Sequence, residues 1–472
     1  MEMKNRPQRW HLRAPERIVI LLIGDLLMGA AALFLSLYFW AAGDAWMQFS
    51  IEFITDRPPF WYYLLPFFWV IFMVELYDVQ RAGSTKETLK GVGLASLLCA
   101  LIYLLIYFTS EPNSLPRRGV SFFIIIAALL TLLWRLLYIR LFTSPYLLRR
   151  ALIIGAGNAG ETLAKVIEKQ EQPPFNLIGL IDDDPDKLDK VVGRFPVIGN
   201  STTLIQIIQE QEISDLVLAI SHEIHGNMFR AILTAQEMGL NLSLMPQVYE
   251  EILTRVPIFL LEAEWIVRSF VEKTRTSMLY QLSKSLLDFA GGLIGTLIML
   301  AFFPFISLGI LIETGLPIFF LQERLGRGGQ PYKIIKFRTM DRDAEKDGIA
   351  RMTEENDERV TKFGKFLRKT HLDELPQFIN VLRGEMSLVG PRAERPQMVE
   401  YFQKELPFYR ARLLVKPGIT GWAQINYGYA GTVEETAVKL EYDLFYIEHR
   451  NLFMDIAIIL RTAGTVLGFK GQ

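Results

Sequence analysis

Two adjacent acids, Asp373 and Glu374, stand at the centre of the densest chemical pattern in the chain, KFLRKTHLDELPQFINVLRGEMSLVGPR from Lys365 to Arg392. Lys365, Arg368 and Lys369 precede them, and Arg392 follows the turn signal Gly390-Pro391. Leu375-Pro376-Gln377 opens an apolar-periodic run through Phe378, Ile379, Val381 and Leu382. Proline is tolerated in a first helical turn, so the acids are expected at a helix N-terminus. A helix start flanked by cations suits phosphate. An anionic substrate held there would bring one carboxylate close to phosphorus, while its neighbour holds a divalent cation that offsets the charge. A bare Asp-Glu pair also has a plainer use, as an acidic first turn favoured by the helix dipole.

Flanking elements must position these groups. Tyr332 to Met340 reads as a strand, and alternation puts Lys336 and Arg338 on one face, where two cations can grip a diphosphate. Solvated charges on an ordinary amphipathic strand give the same letters. Asp341 to Glu358 is charge-rich and poor in apolar residues, as expected of a loop or solvated segment. Lys416-Pro417-Gly418-Ile419-Thr420-Gly421-Trp422 is rigid at Pro and permissive at Gly, which suits a loop whose backbone approaches a ligand. The patterns at Pro396–Val415 and Val433–Leu467 are amphipathic, fit either for a membrane surface or for packing a core.

The chain has 472 residues, enough for about two to four domains. It is 51% hydrophobic yet 21% charged, which implies a membrane part joined to a soluble part. A net charge of -1 gives no support to nucleic-acid binding. The single cysteine, Cys99, lies in an apolar run, and five histidines show no ligand spacing, so disulfides and structural zinc are not expected.

Residues 1–148 read as a four-helix transmembrane domain, with spans at Ile18–Ala42, Trp61–Leu76, Leu89–Phe108 and Val120–Phe142. Arg135 and Arg140 near the end of the fourth are expected to snorkel to the interface. Lys4, Arg6, Arg9, Arg13 and Arg17 precede the first span; Arg81, Lys86 and Lys90 lie between the second and third, and Arg149-Arg150 follow the fourth. This bias places both ends of the unit in the cytoplasm, although Arg117-Arg118 run against it.

Residues 149–256 read as a Rossmann-like α/β domain. The strand Ala151–Ile154 leads into Gly155-Ala156-Gly157-Asn158-Ala159-Gly160 and a helix, and the next strand, Leu177–Ile181, ends at Asp182. This is the dinucleotide fingerprint in its strand–loop–helix context, with Gly155, Gly157, Gly160 and Asp182 as candidate nucleotide contacts. Glycines that merely permit tight strand–helix packing explain it equally well. After a connector, 257–282, containing Pro257 and Trp265, the run from Phe289 to Ile312 carries no charge and is long enough to cross a bilayer.

The runs THLDELPQ (Thr370–Gln377), NVLRG (Asn380–Gly384), MSLVGPR (Met386–Arg392) and KPGITGWAQ (Lys416–Gln424) together resemble the bacterial sugar transferase family. Its members are polyprenyl-phosphate phosphoglycosyl transferases that initiate exopolysaccharide and O-antigen (lipopolysaccharide) repeat units. The resemblance covers roughly the last two hundred residues, in order, and is far more specific than any single motif. It implies a catalytic domain at 283–472, with Asp373 as the nucleophile toward a UDP-sugar and Glu374 as the magnesium-associated carboxylate. Arg368 and Arg392 would bind phosphate, Lys336 and Arg338 would line the site, and Asp455 matches a further family acid. A plain helix-face pairing of Asp455 with Arg461 is the alternative. The family's Asn-Gly-Arg run is missing at Asn426-Tyr427-Gly428-Tyr429-Ala430, which leaves the sugar contact open.

A full crossing by 289–312 would put the acids outside the cell, away from nucleotide-activated substrates. The expectation is therefore a re-entrant helix–break–helix hairpin, 284–314, broken at Pro304, as the family has. The family's Ser before the Pro is Phe303 here. The expected activity is Mg²⁺-dependent transfer of a hexose-1-phosphate, glucose or galactose by analogy with large members, from UDP-sugar to undecaprenyl phosphate. It would take place on the cytoplasmic face of the bacterial inner membrane, with membrane lipid around the helices and a homodimer as the assembly. Two rivals are a membrane-anchored nucleotide-sugar oxidoreductase or epimerase built on the Rossmann-like domain, which lacks a convincing Tyr-x-x-x-Lys pair, and a non-catalytic scaffold for polysaccharide assembly.

Overall fold

The computed structural model describes residues 14–43, 48–77, 79–109, 116–142, 149–170, 173, 175–220, 226–260, 277–341, 359–428 and 432–467. Trp265, Tyr429, Ala430 and most of the charged stretch after Asp341 lie outside these residues. The chain divides into two compact units, Met1–Ser243 and Leu244–Gln472.

In the first unit the helices Ala14–Ala42, Thr85–Thr109 and Arg117–Phe142 are each long and apolar enough to cross a membrane. The second expected span is not a comparable helix. It is a 3-10 turn at Phe60–Leu64, an eight-residue α-helix at Leu65–Phe72 and a further 3-10 turn at Val74–Tyr77. The eight α-helical residues rise roughly 12 Å and the two 3-10 turns add up to about 18 Å, so the crossing length is assembled from three short pieces rather than from one helix. Pro66 starts this short helix afresh, and side chains pin it in place: Trp69 donates to Thr131 Oγ1 at 3.0 Å, and the Tyr62 and Ser36 hydroxyls meet at 2.7 Å.

Arg135 does not snorkel. It is fully buried, with Nη2 at 2.5 Å from Asp25 Oδ2 and Nη1 donating to the Leu76 carbonyl at 2.7 Å. A charge in hydrocarbon is tolerated when paired in this way, whereas Arg140, nearer the helix end, is exposed. Leu27, Phe34, Leu101, Leu129 and Leu133 are exposed, as lipid-facing positions should be.

A six-stranded sheet, ordered β3-β4-β2-β1-β5-β6, follows: β1 Arg149–Ile154, β2 Phe175–Ile181, β3 Val191–Val192, β4 Phe195–Gly199, β5 Asp215–Leu218 and β6 Asn241–Leu244. β1 is parallel to both β2 and β5, so the order reverses at β1 and the glycine loop sits at the switch point. β3 pairs antiparallel with β4, at the edge.

The second unit opens with the helix Met245–Leu253, grouped on sequence with the middle domain. Here Tyr249 Oη donates to Glu441 at 3.3 Å, and the Thr254 carbonyl accepts from Trp422 Nε1 at 3.0 Å. Met278–Glu313 is then a single helix of 36 residues that continues through Pro304, not two arms separated by a break. Such a helix is roughly 54 Å long. Ser307, one turn past the proline, donates its hydroxyl to the Phe303 carbonyl, so the hydroxyl missing before Pro304 reappears after it. Both ends of the helix meet the same unit. Lys284 Nζ donates to the Val389 carbonyl at 3.1 Å, and Glu313 accepts from the Phe363 amide at 3.1 Å. Small residues make this close packing possible: a Cβ on Gly295 would lie 2.3 Å from the Phe378 ring. The opposite face, with Leu286, Phe289, Leu297, Phe305 and Ile312, is exposed and apolar.

Around this helix lie an antiparallel pair, β7 Phe319–Leu325 with β8 Pro331–Phe337, and a short parallel pair, β9 Ser387–Val389 with β10 Gly418–Thr420. The core gathers Met386, Tyr409, Trp422, Leu444, Tyr446 and Ile447. The amphipathic stretches are therefore used for packing, although Phe453 remains exposed.

Candidate active site

The helix Gln377–Leu382 buries Gln377, Asn380 and Val381, and Asn380 is fully enclosed. Its Oδ1 accepts from the Ile335 amide at 3.0 Å; its Nδ2 donates to the Lys333 carbonyl at 2.9 Å and to Glu385 at 2.6 Å. One amide thus locks the register of β8 against the segment that carries the acids. Lys336 consequently reaches Glu374, Nζ to Oε1 at 2.6 Å, and Arg392 Nη2 comes to 3.4 Å from the same oxygen. Arg338 lies one residue beyond the strand, partly buried, its amide donating to the Ile318 carbonyl at 2.9 Å.

The acids are not in the first turn of that helix. They occupy a separate 3-10 turn, Leu372–Glu374, entered through His371 in the left-handed region at φ +56°. Pro376 ends this turn and caps the six-residue helix after it, which is why the acids fall one turn earlier than the proline rule suggests. Arg368 Nε donates to Thr339 Oγ1 at 3.0 Å, holding that cation beside the turn, while Lys365 and Lys369 face solvent.

The environment separates the two carboxyls. Burial raises the Asp373 pKa above the ordinary carboxylate range and the neighbouring Glu374 charge adds to the rise, with Lys336 and Arg368 opposing. Burial also resists ionisation of Glu374, but Lys336 and Arg392 outweigh it and hold Glu374 well below that range. Carboxyls whose pKa values are pushed apart are suited to different roles. Glu374 is a fixed anion, and Asp373 is the more basic of the two carboxyls.

A divalent cation needs hard oxygen donors, and few from protein when phosphates supply the rest. Both cations that touch Glu374 meet Oε1, so Oε2 fits that requirement.

Asp455 is not brought to the acid pair. It is fully buried, accepts from Tyr446 Oη at 2.7 Å and Tyr280 Oη at 3.0 Å, and lies 3.2 Å from Lys284 Nζ. It anchors the long helix to the domain. Arg461, the partner considered from sequence, stacks over Trp422 at 5.3 Å. The roles of Lys284 and Asn380 were missed by sequence reasoning, since each shares its helix face with other polar residues, Gln281 and Asp288 for Lys284 and Gln377 for Asn380.

The glycines of KPGITGW serve strand pairing. A Cβ on Gly418 would lie 2.1 Å from the Gly390 amide nitrogen, and Gly418 N donates to the Pro391 carbonyl at 2.9 Å. The close approach seen is to the loop bearing Arg392. In the middle domain a Cβ on Gly160 would lie 1.9 Å from the Gly155 carbonyl oxygen, and Gly155 has φ +106°. Packing and backbone geometry account for these two. Around a Cβ on Gly157 nothing lies within 4 Å. Asp182 Oδ2 accepts from the Ala156 amide at 2.7 Å and from Lys187 at 3.1 Å, so it ties down the loop itself.

Residues 279–469 match a family model described as bacterial sugar transferase, and residues 73–246 match one described as a CoA-binding domain. A UDP-N-acetylgalactosamine-undecaprenyl-phosphate N-acetylgalactosaminephosphotransferase of Aeromonas hydrophila is 45% identical over 164 residues, 34% of this chain and only 38% of that protein's length. A UDP-glucose:undecaprenyl-phosphate glucose-1-phosphate transferase of Caulobacter vibrioides is 38% identical over 188 residues, 39% of this chain and 70% of that protein. A UDP-galactose-lipid carrier transferase of Erwinia amylovora is 27% identical over 447 residues, 90% of this chain and 85% of that protein. With its acid pair, clamping cations and glycine-paired strands all inside the matched region, the chain belongs to the bacterial sugar transferase family.

Proposed function

We propose that this protein transfers a hexose-1-phosphate from a UDP-sugar to undecaprenyl phosphate and releases UMP, as the first membrane step of exopolysaccharide or O-antigen synthesis. The observation that carries this reading is the buried Asp373 beside a Glu374 clamped by Lys336 and Arg392. The similarity to a UDP-galactose-lipid carrier transferase over nine-tenths of the chain and to a glucose-1-phosphate transferase supports a hexose, glucose or galactose.

The donor diphosphate is held by Lys336, Arg338, Arg368 and Arg392. An Asp373 oxygen attacks the β-phosphorus; the new O–P bond forms as the bond to the bridging oxygen breaks, and UMP leaves with that electron pair. Undecaprenyl phosphate then attacks the same phosphorus through a phosphate oxygen. The Asp373 O–P bond breaks, and the carboxylate is regenerated. Burial favours this exchange by keeping water from the aspartyl phosphate. Glu374 would hold Mg²⁺, which when bound neutralises diphosphate charge. The Lys/Arg bias and the contact of both ends of Met278–Glu313 with one unit support a cytoplasmic-face enzyme whose long helix, kinked at Pro304 without breaking, enters the inner membrane and returns to the same face.

The test is UMP release from nanodisc-embedded protein supplied with Mg²⁺, undecaprenyl phosphate and single UDP-sugars. UMP from one donor, dependent on the lipid, is expected. UDP as product would replace phosphosugar transfer by ordinary glycosyl transfer and sink the reading.

A further inference from the structure

Arg392 meets Glu374 through a half-exposed side chain on a loop, so its aim depends on what holds its backbone. The Arg392 carbonyl accepts from Arg412 Nη2 at 3.2 Å. The same nitrogen donates to Asp443 Oδ2 at 2.8 Å, while Nη1 donates to Tyr409 Oη at 2.7 Å and lies 3.4 Å from Glu394 Oε1. Arg412 and Asp443 are both buried. One guanidinium thus ties the loop on both sides of Ala393 to Asp443 in the helix Val433–His449. A small surface cleft lies against Arg392, Glu394 and Arg412 and is otherwise walled by apolar side chains such as Leu325, Val399 and Leu413.

A buried ion pair is a weak explanation for stability, because apolar side chains of equal volume commonly do as well. Only a planar fork can hold a carbonyl and two carboxylates together, which a lysine cannot reproduce. We infer that Arg412, seated on Asp443, is a positioning residue that fixes the Gly390–Glu394 loop so that Arg392 faces the acid pair and the donor diphosphate. This rests on the function proposed above, in which Arg392 holds phosphate.

A double-mutant cycle on the full-length protein in nanodiscs tests it, using Arg412→Lys, Arg392→Ala and both together. Two readouts are taken: affinity for inorganic pyrophosphate and kcat/KM for UMP release. Arg412→Lys is expected to weaken both about tenfold, the scale of one charge-assisted hydrogen bond, and to have no further effect in the Arg392→Ala background. Should Arg412→Lys fold poorly, Asp443→Asn, which leaves the arginine in place but unseated, is expected to show the same dependence on Arg392. Losses that persist undiminished in the Arg392→Ala background would mean a general structural role and overturn the inference. So would wild-type affinity in Arg412→Lys, or a wild type that binds no pyrophosphate. Coupled pyrophosphate affinities in a protein that releases no UMP would instead keep the inference and remove the function it was built on.

Discussion

Replacing Asp373 by Asn should abolish UMP release and make the protein more stable. The carboxyl is buried, has the Glu374 charge beside it, and its folded pKa is raised. A group whose folded pKa lies above its unfolded value makes the folded state less stable wherever it is ionised in both states. Lys336 and Arg368 offset part of this, leaving a net cost of about 2 kcal/mol at neutral pH. Asn has the same shape and no charge, so that cost disappears, and the melting temperature should rise by roughly 4–8 °C. The sign fixes the pH dependence. The gain should be full at pH 8, shrink as pH falls through the raised folded value, and vanish below the ordinary value of 3.8, where both states are protonated. Differential scanning fluorimetry of the two proteins at several pH values, with UMP release in parallel, measures this. An Asp373→Asn protein that melts lower at pH 8, or whose gain is the same at pH 4 and pH 8, would refute the account of a destabilised nucleophile.

Lys336→Met removes the 2.6 Å contact to Glu374 and a cation that favours ionised Asp373, so the acid limb of the pH–rate profile should move to higher pH by about one unit. An unmoved limb in steady-state UMP kinetics would show that Asp373 does not sense Lys336. Asp455→Asn leaves Lys284 without its buried partner, and a loss of about 3 kcal/mol is expected in denaturation, with UMP release retained by the protein that remains folded. Folded Asp455→Asn with no activity would return Asp455 to the chemistry. In the middle domain Gly160→Ala should destabilise, because its Cβ meets a carbonyl at 1.9 Å, whereas Gly157→Ala should fold normally. If Gly157→Ala also fails to fold, as read by limited proteolysis, open space over that loop is not what Gly157 supplies.

Part of the candidate site was legible because it is local in sequence: Arg392 meets Glu374 within the stretch Lys365–Arg392, although Arg368 pairs with Thr339 outside it. The parallel sheet and glycine loop were equally legible, since strand alternation and the strand–loop–helix order are short-range properties. Apolar length marked the long helices. It failed at Trp61–Leu76, where Pro66 and side-chain hydrogen bonds to other helices broke a run that hydropathy alone reads as continuous. It also marked 289–312 as membrane-active without revealing that Pro304 stays inside one helix.

Residue identity set which groups could serve as nucleophile or clamp, because charge and pKa range belong to the side chain. Tertiary structure alone decided their partners. Asn380 aligns Lys336 with Glu374 across 38 positions, Asp455 turns from a candidate site acid into the anchor of Lys284, and Arg412 reaches back to the Arg392 carbonyl from a separate element. Buried polar groups must find partners wherever the chain brings them, and that choice depends on distances in space that no spacing in sequence encodes.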